Sequence, residues 1–339
     1  MTSDSAMDQF SATLDRGWDL AQRGDAKGAI LCARRALEID PQSPEVHNLL
    51  GYSAALAGET DEALEHYRQA ITLDETYFEA MLNCAELLMH PVGDFDESIA
   101  LCDDALDYAE TNEEFADCLL LKVDALLAKG DVAEAKRAMA RVPQGPWENA
   151  SYTFLVGRAL YEVGEIDKAR PLVEEAAKSD PEHVDAHYYL GLLRDEAGDV
   201  RGAVEAFLRS RAIDGQKAPP PWAPSPEAFA LVVRAAIVGL DAILARYVRE
   251  AEVFVVDLPG AELVVDGVDP RALVVLDTPP ALDDAERRTV RLFVYQRNVE
   301  RAAGSVVRLE EELAAALERE VTSVFLDQSA PKTDKHGLN

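Results

Sequence analysis

The sequence predicts a mainly α chain: an N-terminal α-solenoid of helix-turn-helix repeats, then a small α+β domain. Three observations carry this. A 34-residue period runs through the first two thirds, a proline-rich break follows Gly215, and the chain beyond it turns to alternating runs rich in valine and leucine. The reading assigns residues 1–215 to the repeats, 216–226 to a linker, 227–328 to the α+β domain and 329–339 to a flexible tail.

Gly17 and Gly51 lie 34 residues apart, as do Gly24 and Gly58, Ala29 and Ala63, and Ala36 and Ala70. The same frame returns with Gly157 and Gly191, Gly164 and Gly198, and Ala169 and Ala203. Each unit reads as two amphipathic helices. In the second unit Leu50, Gly51 and Ala54 supply close-packing positions, Ala57-Gly58-Glu59 makes the turn, and Ala63, Tyr67 and Ala70 line the second helix. Small residues sit where helices approach closely, and glycine accepts the left-handed conformation that ends a helix. Pro41 and Pro181 stop propagation after second helices. Six units begin near Phe10, Pro44, Phe78, Ala116, Ala150 and Val184; the third carries an extra residue before Gly93, and the fourth has Val123 where a small residue is usual.

This pattern closely resembles the tetratricopeptide repeat. The resemblance implies a right-handed solenoid whose concave face, built from the first helix of each pair, binds peptides or proteins. Taking the second, fifth, ninth and twelfth positions of each first helix as groove-facing gives Glu45, Glu79, Asp117 and Asp185 at the second position. Trp18, Tyr52, Phe154, Tyr161 and Tyr188 add aromatic surface, Glu86, Asp124 and Asp195 add acid, Asn48 stands at a fifth position, and Arg158 is the basic exception. Such a groove suits a partner with a basic segment, through ion pairs and cation–π contacts; the plainer reading of the acids is a solvated face. One groove of the family grips chaperone C-terminal carboxylates with Lys, Asn and Arg. The matching positions here are Leu14, Trp18, Leu49, Glu79 and Asn83, which implies no chaperone-tail adaptor.

Acidic residues outnumber basic ones 63 to 33, a net charge of −30, and most of that excess precedes the linker. This disfavours nucleic acid and anionic lipid as partners. No apolar run is long enough to span a bilayer and the first residues lack a secretory pattern, so the reading is a cytoplasmic chain without membrane insertion. Cys32, Cys84, Cys102 and Cys118 sit in helical patterns with no C-x-x-C pair, as buried reduced thiols do. His183 and His187, four residues apart, could share a helix face, but no further metal ligand is evident nearby, and they read as surface histidines at a repeat junction.

QKAPPPWAPSP cannot continue a helix. An amphipathic helix is expected next, with Phe229, Val232, Val233, Ala236, Ile237, Leu240, Leu244 and Tyr247 on one stripe. Strand-like runs follow at Val253–Val256, Ala272–Leu276 and Val290–Tyr295, and a last helix at Leu309–Phe325 shows Leu313, Leu317, Val321 and Val324 on one face.

The segment VRLFVYQRNVERAAGSVVRLEEELAAALEREVTSVFLD resembles the compact bacterial zincin-like metallopeptidases, in which a strand and an Arg-rich turn lead into a helix bearing H-E-x-x-H. In that motif two histidines hold zinc and the glutamate deprotonates its bound water. Here Arg319 and Ser323 stand at the histidine positions and only Glu320 matches; Asp327 lies near the place of the downstream ligand. A guanidinium stays protonated and cannot ligate. The resemblance therefore implies a metal-free, non-catalytic zincin-like domain, with no cofactor. The functional expectation is an interaction scaffold for a protein or peptide partner. The alternative is a metallopeptidase with unusual ligands whose repeats recruit substrate.

Overall fold

A computed structural model describes residues 3–147, 149–277 and 290–326, and the chain divides into two compact units, Met1–Ala176 and Ala177–Asn339. The first unit is a series of helical hairpins: α1 (Ser3–Gln22) with α2 (Ala26–Ile39), α3 (Pro44–Ala57) with α4 (Thr60–Leu73), α5 (Phe78–Leu87) with α6 (Phe95–Ala105), α7 (Asn112–Ala128) with α8 (Val132–Met139), and α9 (Ser151–Glu162) with α10 (Ile166–Ser179). The division between units falls inside α10.

Local chemistry sets these hairpins. The turn glycines Gly24, Gly58, Gly93, Gly130, Gly164 and Gly198 all have φ between 77° and 81°, a region that other residues enter at a cost. Just beyond the turn, Asp25, Asp94 and Asp131 cap α2, α6 and α8 by accepting from the backbone N–H three residues on, at 2.9 to 3.2 Å. The extra residue before Gly93 is taken up in Leu88–Val92, where His90 is extended and the helix breaks after α5. Ala29, Ala33, Ala36, Val46 and Leu49 form the core between the first two hairpins, and Leu119, Val123, Ala135 and Met139 do so around α7 and α8.

First helices touch their next-but-one neighbours in series, α1 with α3, α3 with α5, α5 with α7, and α7 with α9. That layer is the compressed one, and so the concave one within this unit. All four cysteines are free and buried; burial pushes the thiol of Cys84 up to about 11 and those of Cys102 and Cys118 up to about 12, which leaves these three unreactive. Among the described residues no helix is long and apolar enough to cross a membrane.

The second unit holds a sixth hairpin, α11 (Val184–Glu196) with α12 (Val200–Gln216), and the α+β elements. These are α13 (Pro226–Gly239), α14 (Ala242–Val248), β1 (Glu252–Val256), α15 (Ala261–Val265), β2 (Val274–Asp277), β3 (Arg291–Tyr295), α16 (Gln296–Ala303) and, after a 3-10 turn, α17 (Leu309–Phe325). The sheet order is β1-β3-β2, with β1 parallel and β2 antiparallel to β3. Val274, Leu276, Leu292 and Val294 face a core completed by Phe229 and Val233 of α13, Ala245 and Val248 of α14, and Leu313, Leu317 and Val321 of α17. The single helix expected over Phe229–Tyr247 is two: Leu240 is extended, and Asp241 caps α14 by accepting from Ile243 N at 2.8 Å. Asp327 and the tail 329–339 lie outside the described residues.

Candidate functional site

On the first-helix face of the first unit, Trp18 of α1 and Tyr52 of α3 pack with ring centroids 5.6 Å apart, both partly exposed. Tyr52, Asn83, Glu86 and His90 line a shallow depression of about 260 Å³, and Glu45, Glu79 and Glu86 are exposed. Here acid and aromatic surface are available together.

Most other positions that the repeat register assigns to a groove in this unit tie hairpins to one another. Buried Asn48 donates to the Tyr77 hydroxyl at 3.2 Å and accepts from Asn83 Nδ2 at 3.0 Å, a ladder from the second hairpin to the third; burial pushes Tyr77 up to about 12. Asp117 accepts from the Tyr152 hydroxyl at 2.6 Å. Burial raises its carboxyl above the usual range, although the Tyr152 bond pulls the other way. Arg158 pairs with Asp124 at 2.9 Å, Phe154 is buried in the core, and Tyr161 is half-buried. Sequence held a signal for these ties, because Tyr152 and Arg158 stand 35 and 34 residues after the acids they meet.

In the second unit Asp185 and Tyr188, at the second and fifth positions of α11, are engaged by the loop before β2. Arg271 pairs with Asp185, its guanidinium carbon lies 4.0 Å from the Tyr188 ring centroid, and the Tyr188 hydroxyl donates to Asp269 Oδ2 at 2.9 Å. Asp195, at the twelfth position, is exposed. Burial works against ionisation of Asp185, yet Arg271 holds its carboxyl below the usual range; burial and then Asp269 raise the Tyr188 phenol. The loop is itself fixed, since buried Asn298 donates to the carbonyls of Pro270 at 2.9 Å and Ala272 at 2.7 Å. Arg301 pairs with Asp214 of α12 at 2.9 Å, and Arg297 donates to the carbonyls of Asp214 and Lys217.

His183 and His187 do not converge. His183 Nδ1 caps α11 by accepting from Ala186 N at 3.2 Å, and His187 Nε2 lies 3.0 Å from the Pro181 carbonyl. Arg319 and Ser323 are exposed on α17, and Glu320 Oε1 accepts from Leu276 N at 2.9 Å. These residues do not fit a zinc ion: one is a permanent cation, one carries only a hydroxyl, and the carboxylate is turned to the edge of the sheet. Among the described residues no three His, Cys, Asp or Glu side chains are grouped to hold a metal.

Residues 14–77 and 155–218 match the sequence model described as Tetratricopeptide repeat. No curated protein matches the chain. The structure solved in the functional characterization of Pseudomonas aeruginosa pilF is similar, with TM-score 0.54 and 20% identity over 63% of this chain and 95% of that one. PilW, a widely conserved type IV pilus biogenesis factor, is similar at TM-score 0.52 and 17% identity over 61% and 94%. At these identities the likeness is one of fold. The hairpins within residues 14–77 and 155–218 are therefore tetratricopeptide repeats, a repeat type that stacks into extended surfaces.

Proposed function

We propose that the chain is a non-catalytic interaction scaffold that receives an arginine- or lysine-containing protein segment on the acidic, aromatic face formed by Trp18, Glu45, Tyr52, Glu79 and Glu86. One observation carries this reading. At α11 the same combination, an acid at the second position and an aromatic ring beside it, already holds a guanidinium, that of Arg271. The chemistry proposed for a partner is thus used by the chain on itself. An Arg over a tyrosine ring contributes about 0.5–2 kcal/mol and an exposed ion pair about 0–1 kcal/mol, so several contacts must act together.

The α+β domain, in this reading, is a zincin-like fold without its metal. Arg319 and Ser323 replace the ligating histidines, and the Glu320 carboxylate serves the backbone.

The test pairs affinity capture of the partner from host extract with direct binding of its recovered segment across a salt series. Glu45→Lys with Glu79→Lys and Glu86→Lys should weaken binding about tenfold or more and flatten its salt dependence, while Tyr52→Ala should speed dissociation. Binding unchanged by the triple reversal would reduce the acids to a solvated face.

A further inference from the structure

His47 of α3 and His66 of α4 face each other across the second hairpin with their Nδ1 atoms 3.3 Å apart. Their rings are tilted by 41° with centroids 5.5 Å apart, and both side chains are half-buried, which leaves one side open to solvent. Sequence does not report this pair, because the two residues belong to different helices and their spacing matches no ligand motif.

The far side of each ring faces oxygen: the Pro41 carbonyl favours the protonated form of His47, and Glu62 Oε1 lies 3.9 Å from His66 Nε2. His187 occupies the same fourth position of its own helix, and its Nε2 meets the Pro181 carbonyl at 3.0 Å, so this position favours hydrogen on Nε2 and a lone pair on Nδ1. Applied to both rings, that tautomer aims two lone pairs at each other. Without a cation, His66 must carry its hydrogen on Nδ1 to bond His47, and its Nε2 then presents a lone pair to the Glu62 carboxylate. A cation between the two Nδ1 atoms removes the conflict: His66 takes its hydrogen on Nε2, toward Glu62, in the carboxylate–histidine–metal arrangement.

The distance fits. With metal–nitrogen bonds of about 2.05 Å, a separation of 3.3 Å subtends about 107°, close to the tetrahedral angle. Burial lowers the pKa of both imidazoles, helped at His47 by His66 and opposed at His66 by Glu62 and Glu65, so both are neutral ligands near pH 7. Arg34, 4.0 Å from Glu62, is the opposing charge, and the two glutamates outweigh it.

We propose that His47 and His66 form a two-histidine chelate for a borderline divalent cation of the Zn²⁺, Ni²⁺ or Cu²⁺ class, with water in the remaining positions. Imidazole nitrogen selects this class over Mg²⁺ and Ca²⁺, which take oxygen ligands. Two protein ligands, with the remaining positions open to water, make the site an exchangeable one.

The experiment uses the full chain, purified without a histidine tag and stripped of metal, titrated with Zn²⁺ against a chromophoric chelator. One equivalent should bind, and His47→Ala and His66→Ala should each weaken it about tenfold or more. His183→Ala with His187→Ala should leave it unchanged. Excess Mg²⁺ should not compete, and Zn²⁺ should raise the unfolding midpoint of the wild type but not of the His47→Ala and His66→Ala variants. His66→Gln, with circular dichroism as the check on folding, separates loss of a ligand from loss of the hairpin. Zinc binding equally tight in the His47→Ala, His66→Ala double variant, or wild-type protein that binds none, would overturn the proposal.

Discussion

Glu320 is the residue that sequence marks for chemistry and structure assigns to the backbone. Among the described residues β2 is an edge strand, so alternate N–H groups point away from its neighbour β3, and Glu320 Oε1 accepts from one of them, Leu276 N, at 2.9 Å. Burial raises its carboxyl above the usual 4.5, and the Leu276 bond offsets this only in part. A raised native pKa means that the folded state holds the proton more tightly than the unfolded chain. Its contribution is therefore fully present below the ordinary carboxylate pKa and is lost as pH rises through the native value. Glu320→Gln keeps an acceptor without the charge. It should match the wild type in urea denaturation near pH 4 and exceed it near neutral pH. Glu320→Ala strands the Leu276 N–H and should cost about 1–3 kcal/mol. An alanine variant as stable as the wild type would remove the strand-capping role.

At the scale of elements, the hairpins were legible because their spacing is set by local packing. A Cβ on Gly51 would lie 2.6 Å from the Tyr67 ring and one on Gly191 2.4 Å from Phe207, contacts within a hairpin, whereas one on Gly17 would lie 2.5 Å from Leu49 of the next hairpin, so the repeating glycines record close helix approaches. Two departures were not legible. The stripe from Phe229 to Tyr247 reads as one helix because α13 and α14 both pack on α17, and a shared buried side keeps the period across the break. His47 and His66 meet across a hairpin, a pairing that no single-helix period reports. Gly51→Ala should destabilise by about 1–3 kcal/mol through overpacking against Tyr67. Gly239→Ala, at the exposed end of α13 with nothing within 4 Å of the new Cβ, should stabilise by about 0.4–1 kcal/mol. Thermal unfolding of both variants checks it, and a neutral Gly51→Ala would show that Tyr67 yields readily.

At the scale of the whole molecule, the repeat register placed Asp185 and Tyr188 on a groove, but only folding brings Arg271, 86 residues beyond Asp185, onto them. The same long-range character belongs to Arg297 and Arg301, which meet the end of α12 more than 80 residues back. Sequence cannot report such contacts, because neither partner carries a period that points to the other. Within the second unit these groups join the sixth hairpin to the α+β elements, and Asp185 keeps its charge despite burial because Arg271 is there. Removing the cation leaves a carboxylate half-desolvated and unpaired, a larger loss than an exposed pair would give. Hydrogen exchange should therefore find α11 and α12 protected together with α13, α17 and the sheet, as one cooperative unit. Arg271→Ala with Arg301→Ala should lower protection in α11 and α12 by about tenfold or more, while α2, α3 and α4 keep theirs. If the sixth hairpin exchanges at its wild-type rate in that variant, its stability comes from apolar packing alone, and the arginine contacts are dispensable.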